Sequence, residues 1–313
     1  MEAKNIYDRA KVIVVKVGED DIDGMLITHD LNDSGQYEYA EKAFVDEVIK
    51  YLPEYAMGSN PIPTTTTGLI PYLRDAAKSV MKIKNIDEIK RLLDSDTPFE
   101  QWSPQAQNTY LTKGVFSELI LHFLLREFKN TIPLISKIYF KDSYSHEAHG
   151  FDAVHVSDDG KMWLGETKFY SDGKQGICAL VDDLNTHLKH DYLKEQFFII
   201  SRALDHSNQR REDWIQALTA ATRLEEKLNM IIVPLLCIYE DAFANTIIDE
   251  LNKQGDIETL CLEHFSSLKE YFVKKNDFPN RDRVQIVLML LPVESKRRIV
   301  SDMLNRIYYM QQM

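Results

Sequence analysis

The fold is decided by the stretch Gly150-Phe151-Asp152-Ala153-Val154-His155-Val156-Ser157-Asp158-Asp159-Gly160-Lys161-Met162-Trp163-Leu164-Gly165-Glu166-Thr167-Lys168, in which two β-strand patterns flank a turn. The turn is the three-residue loop Asp158-Asp159-Gly160. A three-residue loop with glycine in the left-handed position is a favoured hairpin connection. The stretch therefore predicts an antiparallel β-hairpin.

The loop also sets the register of this hairpin. Pairing Ser157 with Lys161 puts Asp152 directly opposite Glu166. Because strand side chains alternate between faces, Lys168 lies on the same face as Glu166. Two carboxylates and one ammonium group are therefore predicted to converge.

Such a trio is typical of metal-assisted phosphodiester hydrolysis. Two opposed carboxylates repel unless a cation lies between them, and Mg²⁺ is commonly held by one or two carboxylates with water and phosphate oxygens. We expect Asp152 and Glu166 to bind Mg²⁺, with Mn²⁺ as a substitute and the Thr167 backbone carbonyl as a further ligand. Lys168 would orient the attacking water or help to deprotonate it.

The alternative is a chance pattern on a solvated hairpin, since 27% of the residues are charged. The neighbours of the trio argue against it. Apolar side chains such as Phe151, Val154 and Leu164 surround the charged ones, which favours strands covered on both faces. An unpaired carboxylate is costly there, so a functional role is the better explanation.

The elements around the hairpin predict an α/β (α+β) fold with the order αβββαβ. They are a helix over about 113–129, strands over 134–140, 151–156 and 161–169, a helix over about 174–188, and a strand over Gln196 to Ser201. We predict three segments: an N-terminal α/β segment (1–104), the core (105–209) and a C-terminal α/β segment (210–313).

The outer segments contain further regular patterns. In the N-terminal segment we predict a strand over 11–17 and helices over 37–51 and 69–83. In the C-terminal segment we predict a helix ending near 228, strands over 230–239 and 284–291, and a last helix over 295–309.

Glu118 is a possible fourth acidic member of the site. It borders the apolar stripe of the predicted helix over 113–129 and could lean toward the sheet. It also begins a polar line with His122 and Arg126 at four-residue spacing, which is more typical of a solvated helix face. The residues alone leave both interpretations open.

Several polar groups near the hairpin have a simpler explanation. Lys174 and Gln175 could contact a phosphate at a helix start, but capping by Ser171 or Asp172 is the better explanation of this segment. Solvation explains Asp182, Asp183 and His187 on the same helix. The segment His146-Glu147-Ala148-His149 is not an HExxH motif and predicts a loop beside the site.

Composition limits the class of protein. The chain has 37 Lys+Arg against 49 Asp+Glu, a net charge of −12, which disfavours independent high-affinity binding to nucleic acid. Its three cysteines are far apart, no apolar run could span a membrane and no signal-peptide pattern is present, so we expect a cytoplasmic location. Motifs of ATPases, dinucleotide enzymes and α/β-hydrolases are absent.

With Asp152, Glu166-Thr167-Lys168 and the helix carrying Glu118, the chain resembles the PD-(D/E)xK nuclease superfamily, although Phe151 replaces the superfamily's proline. The motifs Gly150-Phe151-Asp152 and Gly165-Glu166-Thr167-Lys168, the chain length and the excess of acidic residues are similar to those of the HamA family, the nuclease subunits of the Hachiman anti-phage defence system. This resemblance implies a restriction-endonuclease-like core, metal ligation by Asp152 and Glu166, a hydrolytic role for Lys168, and Glu118 as the helix acid.

The resemblance also implies a partner, a superfamily 2 DNA helicase (HamB-like) that restrains the nuclease until foreign or damaged DNA is sensed. Docking of that helicase would involve the outer segments. Two hypotheses of function follow: a Mg²⁺-dependent deoxyribonuclease acting as a defence effector, or a catalytically inactive nuclease-like module of a defence or DNA-repair complex. Metal-independent hydrolysis of another substrate is a third and weaker alternative.

Overall fold

The computed structural model describes residues 12–58, 62–80, 86–95, 97–98, 101–111, 114–135, 150–204, 211–221 and 223–313. They form a mixed α/β structure, which confirms the predicted fold class. The segment 146–149 lies outside the described residues, as does most of the strand predicted over 134–140.

A central seven-stranded sheet organises the described residues, with strand order β1-β2-β9-β8-β7-β6-β5. Its strands are β1 (Ile13–Glu19), β2 (Ile22–Ile27), β5 (Ile132–Pro133), β6 (Ala153–Val156), β7 (Met162–Tyr170), β8 (Ile231–Glu240) and β9 (Gln285–Val293). The short strands β3 (His29–Leu31) and β4 (Tyr37–Tyr39) form a separate hairpin. β7, β8, β9 and β2 run parallel, while β1, β6 and β5 pair antiparallel at the two ends.

Helices lie on both faces of the sheet, and thirteen α-helices are found among the described residues. They are α1 (Glu41–Lys50), α2 (Leu52–Met57), α3 (Thr66–Val80), α4 (Ile86–Asp94), α5 (Pro104–Leu111), α6 (Gly114–Phe128), α7 (Gly173–His187), α8 (His190–Ala203), α9 (Arg211–Ala220), α10 (Leu224–Asn229), α11 (Ala242–Asn252), α12 (Ile257–Lys275) and α13 (Lys296–Gln312). One apolar core joins the sheet to α1, α3, α6 and α13, and the other joins it to α7, α8 and α12.

Side-chain alternation along β7 divides these two cores. Trp163 and Phe169 belong to the core under α6, whereas Met162 and Leu164 belong to the core under α7. A strand in the middle of a doubly covered sheet is apolar on both faces, and this explains why β8 is buried from Ile231 to Tyr239. A polar side chain on β7 must therefore find its partners inside the protein.

The hairpin register is confirmed. Ala153 pairs with Gly165 and Val156 with Met162, which is the register that places Asp152 opposite Glu166. The Ser157 N–H donates to the Lys161 carbonyl at 3.0 Å. Gly160 has a φ of 81°, the left-handed conformation that the three-residue loop requires.

The strand predicted over Gln196 to Ser201 is wrong, because these residues belong to α8. Phe197, Ile200 and Leu204 are buried together with Leu193, at the spacing of a helix. A short apolar run does not by itself distinguish a strand from a helix. The described sheet position beside β7 is occupied instead by β8, which follows α9 and α10.

Other departures are smaller. The helix predicted over 37–51 begins at Glu41, after the strand Tyr37–Tyr39. The sequence patterns did not predict the strand β2. Strands of all three predicted segments share the one sheet: β1 and β2 from the first, β5 to β7 from the second, β8 and β9 from the third. No helix among the described residues is long and apolar enough to cross a membrane.

Candidate active site

Asp152 lies at the end of the hairpin, just before β6, and its carboxylate is hydrogen-bonded to Thr167 of β7. The Thr167 N–H donates to Asp152 Oδ2 at 2.8 Å. Thr167 Oγ1 lies 3.1 Å from the same oxygen and 2.8 Å from Ser117 Oγ of α6. Thr167 therefore connects the Asp152 carboxylate to the helix that carries Glu118.

Glu166 is directed toward α7 and is almost completely buried, with 3% of its surface exposed. Its Oε1 lies 2.5 Å from His187 Nδ1. Burial raises the pKa of Glu166 well above its usual value, and the negative charges of Asp183 and Glu118 add to this effect, against the opposing charge of Lys168. Glu166 is thus a buried carboxyl group in a predominantly acidic environment.

Lys168 forms an ion pair with Asp183 of α7. Burial acts to lower the pKa of Lys168, but its hydrogen bond to Asp183 and the charges of Asp183, Glu166 and Asp152 outweigh burial and raise this pKa. The side chain is therefore an ammonium ion at neutral pH. In this structure it can donate hydrogen bonds but is a poor general base.

Glu118 lies on α6 with 9% of its surface exposed, and the Tyr55 hydroxyl of α2 donates to its Oε2. The alternative of a solvated face along Glu118, His122 and Arg126 is wrong. His122 Nε2 lies 3.0 Å from Glu54 Oε2, and Arg126 Nε donates to that oxygen at 2.8 Å. The polar line therefore faces α2 and forms part of the contact between α2 and α6.

A buried network continues from this contact to the hairpin. His122 Nδ1 lies 2.9 Å from His155 Nε2, and His155 Nδ1 lies 2.8 Å from Thr131 Oγ1. Burial lowers the pKa of both histidines, so both rings are neutral at physiological pH. Tyr55, His122 and His155 line a small cavity that Asp152 also lines. The network therefore forms one side of this cavity.

Asp183 and His187 were missed by the sequence reasoning, which assigned them to solvation. They contact Lys168 and Glu166 instead. The His187 ring stacks on Tyr192 with centroids 4.4 Å apart and meets the edge of Phe151 at 5.7 Å. A signal was present, because both residues lie three positions after a buried leucine of α7, at the border of its apolar stripe.

The structure places Lys174 and Gln175 apart from these contacts. The Gln175 N–H donates to Asp172 Oδ1 at 2.8 Å, an N-terminal cap that already uses this amide. Lys174 Nζ lies 5.5 Å from the Tyr271 ring centroid. Thirteen residues of helix, about 20 Å, separate Lys174 from His187. A phosphate contact by Lys174 or Gln175 stays a prediction.

The donor chemistry fits a hard divalent cation. Asp152 and Glu166 supply carboxylate oxygens, and the charges around Glu166 are mostly negative. The N–H and C=O of one strand residue point to the same edge, so the Thr167 carbonyl faces the edge where Asp152 accepts the Thr167 N–H. Within the described part of the chain, no group of three or more His, Cys, Asp or Glu side chains could hold a metal ion by itself. Such a site suits Mg²⁺, which takes its remaining ligands from water and phosphate.

Comparison with known proteins identifies the family of the chain. The sequence profile of the HamA family matches residues 8–307 of the 313-residue chain. Searches of curated proteins and of solved structures found no significant match. The chain therefore belongs to the HamA family, whose members are associated with the Hachiman antiviral defence system.

Proposed function

We propose that this chain is a metal-dependent nuclease that hydrolyses phosphodiester bonds in DNA as an effector of Hachiman defence. The observation that carries the proposal is the convergence of Asp152, Glu166 and Lys168 at the end of one hairpin. Glu118 and Asp183 lie close enough for their charges to raise the pKa of Glu166. Five ionisable groups meet there between two apolar cores.

Each of these residues has a role in the proposed reaction. Asp152 and Glu166 hold Mg²⁺ together with the Thr167 carbonyl, and a bound Mg²⁺ supplies Lewis-acid stabilisation of charge on the phosphate. Lys168, held as an ammonium ion, orients the attacking water and offsets negative charge on the phosphate. His187 orients the Glu166 carboxyl group, and Asp183 orients Lys168.

The net charge of −12 supports the participation of a partner. A protein with this balance has a weak electrostatic attraction to DNA, because affinity for DNA depends largely on basic groups that contact phosphates. Family membership implies a partner in the Hachiman system. We infer that this partner is a superfamily 2 helicase (HamB-like), which supplies much of the DNA affinity and restrains cleavage.

The test is cleavage of supercoiled plasmid by the purified chain with Mg²⁺, with Mn²⁺ and with EDTA. Glu166→Gln and Lys168→Met change one charged group each at the site, and Glu270→Gln on the exposed face of α12 is the matched control. We expect metal-dependent cleavage by the parent and the control and at least a hundredfold loss in both site variants. If the parent is inactive, the series is repeated with the helicase. Equal cleavage by parent and site variants would disprove the assignment.

The second candidate is a catalytically inactive interaction module. It is favoured by one observation: Glu166 and Lys168 already contact His187 and Asp183. Thermal unfolding with and without Mg²⁺ separates the two candidates. A site that binds metal in the folded state alone raises Tm as the metal concentration rises, so an unchanged Tm would favour the inactive module.

A further inference from the structure

A second cavity, separate from the carboxylates, lies where α8, α9 and α10 meet. It has a volume of about 340 Å³ and is lined by His190, Lys194 and Phe198 of α8, Thr219 of α9 and Lys227 of α10, among others. We call it the α8 cleft. Among the described residues that line it, three are basic and none is acidic, although acidic residues outnumber basic ones in the whole chain.

The positive charge extends into the cleft. Lys227 has 2% of its surface exposed, and its Nζ donates to the Ala221 carbonyl at 2.7 Å. Burial lowers the pKa of Lys227, and the positive charge of Lys194 lowers it further against the opposing charge of Glu226. Two ammonium groups therefore repel each other across one cavity. An anion bound between them would relieve this repulsion.

An aromatic surface adjoins these charges. Phe198 has 56% of its surface exposed, and the Arg202 guanidinium carbon lies 4.4 Å from its ring centroid. Exposed aromatic rings paired with arginine offer stacking surfaces for nucleobases in proteins that bind single strands. An apolar and cationic cleft of this kind suits a ligand that has both a flat ring and a phosphate.

One end of the cleft lies near the candidate active site. His190, Lys194 and Ser201 lie on one face of α8 and span twelve residues, about 17 Å of helix. α8 begins three residues after His187, which contacts Glu166, and three residues span at most about 11 Å. One end of the cleft therefore lies within about two nucleotides of the site.

We propose that the α8 cleft binds one strand of nucleic acid, with its phosphates at His190, Lys194 and Lys227 and a base on Phe198. The direction of the strand, toward the carboxylates, rests on the proposed function; binding itself does not. A cavity of about 340 Å³ is at the lower end of small-ligand pockets, about 300–1,000 Å³, and holds a single nucleotide rather than a base-paired duplex.

The test is fluorescence anisotropy with fluorescein-labelled dT20 and rU20, using the full chain in EDTA so that cleavage does not interfere. Lys194→Glu reverses an exposed charge of the cleft, Phe198→Ala removes the stacking surface, and Lys78→Glu on α3, in the opposite helix layer, is the matched control. We expect about a tenfold weakening of Kd or more in both cleft variants and none in the control. Lys194→Glu should also reduce the slope of log K against log salt by about one or more.

The outcomes are distinct. Equal affinities of Lys194→Glu and Lys78→Glu would overturn the proposal, and so would competition by duplex as effective as that by single strands. No binding of either oligonucleotide to the parent chain would overturn it as well. Binding of dT20 and rU20 to similar or different extents supports it and identifies the preferred nucleic acid.

The failure of the proposed function remains distinguishable. If Lys194→Glu loses binding while neither the parent nor its complex with the helicase cleaves plasmid, the cleft stands and the nuclease assignment falls. If the parent cleaves and Lys194→Glu binds normally, the nuclease assignment stands and the cleft proposal falls. Thermal unfolding of each variant confirms that the exposed substitutions leave the fold intact.

Discussion

The carboxyl group of Glu166 is buried beside two acidic neighbours, and this has a measurable energetic consequence. Because its pKa is raised by burial, the ionised form is disfavoured in the folded state. The Glu166→Gln variant keeps the shape and removes the charge. We expect it to be inactive yet to have a higher Tm than the parent in metal-free buffer.

The pH dependence of this increase in Tm tests whether the buried charge of Glu166 causes it. The advantage of Glu166→Gln grows as the pH rises from the ordinary pKa of glutamate to the raised pKa of the folded protein, since over this range the unfolded parent gains a charge that the folded parent disfavours. Calorimetry at pH 6.0 and 8.5, with Glu270→Gln as the control, measures it. A Tm below that of the parent at pH 8.5 would contradict the electrostatic account.

Tyr55 provides a second test at the level of one residue. Its hydroxyl donates to the buried Glu118 carboxylate. Tyr55→Phe leaves that carboxylate without this donor, which typically costs about 1–3 kcal/mol of unfolding free energy. We expect reduced stability in urea together with reduced cleavage, because Glu118 is then held less firmly beside Glu166. Unchanged cleavage would show that the hydrogen bond from Tyr55 to Glu118 is not needed for the reaction.

His187 is a positioning residue in this proposal, because it contacts Glu166 rather than the substrate. We expect His187→Ala to lower kcat and to raise the Mg²⁺ concentration needed for half-maximal activity. The increase in Tm on adding Mg²⁺ should become smaller too, a readout independent of turnover. A normal Mg²⁺ response would assign His187 a purely structural role in the stack with Tyr192.

At the scale of elements, α6 packs very closely on β7. A Cβ at Gly165 would lie 2.6 Å from Leu121 Cδ2, so in Gly165→Ala either the buried Leu121 side chain or α6 itself must shift. Such overpacking costs about 1–3 kcal/mol. Because α6 carries Glu118, cleavage should fall as well.

Gly160→Ala offers the comparison. It strains the left-handed hairpin turn but meets no atom within 4 Å. We expect a loss of about 1 kcal/mol in stability with cleavage intact. Urea unfolding and plasmid cleavage of the two variants separate the effects, and equal activity of both would show that the spacing of α6 from β7 is unimportant for catalysis.

The sequence predicts the hairpin well because its information is local. The loop ending at Gly160 sets the register, and the register brings Asp152 opposite Glu166. The error over Gln196 to Ser201 arose because a short apolar run fits two kinds of element. The contacts of Asp183, His187 and Tyr55 depend on which helix faces pack on β7 and α6. The apolar stripe of α7 places Asp183 and His187 at its border, but no local pattern specifies the residues that they contact.

At the scale of the whole molecule, buried histidines predict acid sensitivity. Burial lowers the pKa of His122 and His155, and of the partly buried His29, His187 and His264. The unfolded chain takes up protons near pH 6.5, whereas the folded protein does not. Stability is therefore lost as the pH falls below 6.5, at up to about 1.4 kcal/mol per pH unit for each fully buried histidine.

Some carboxyl groups act in the opposite direction. Burial raises the pKa of Glu166, Asp23 and Glu41, so these groups favour the folded state as the pH falls. We expect the histidines to dominate between pH 7.5 and 5.5, with a lower unfolding free energy in urea at pH 5.5. His155→Asn should flatten this dependence and Glu166→Gln should steepen it. Equal stability of the parent at both pH values would contradict the prediction.

The position of β7 between β6 and β8 bears on how the protein can be divided. β8 follows β7 only after α7 to α10, so a fragment ending near residue 209 keeps Glu166 and Lys168 but loses the strand beside them. β7 would then be an edge strand, still paired with β6 on one side but unpaired on the side of β8, and rich in apolar side chains. Such edges recruit other chains, and the isolated fragment would be expected to aggregate into intermolecular sheets rather than persist as a small nuclease.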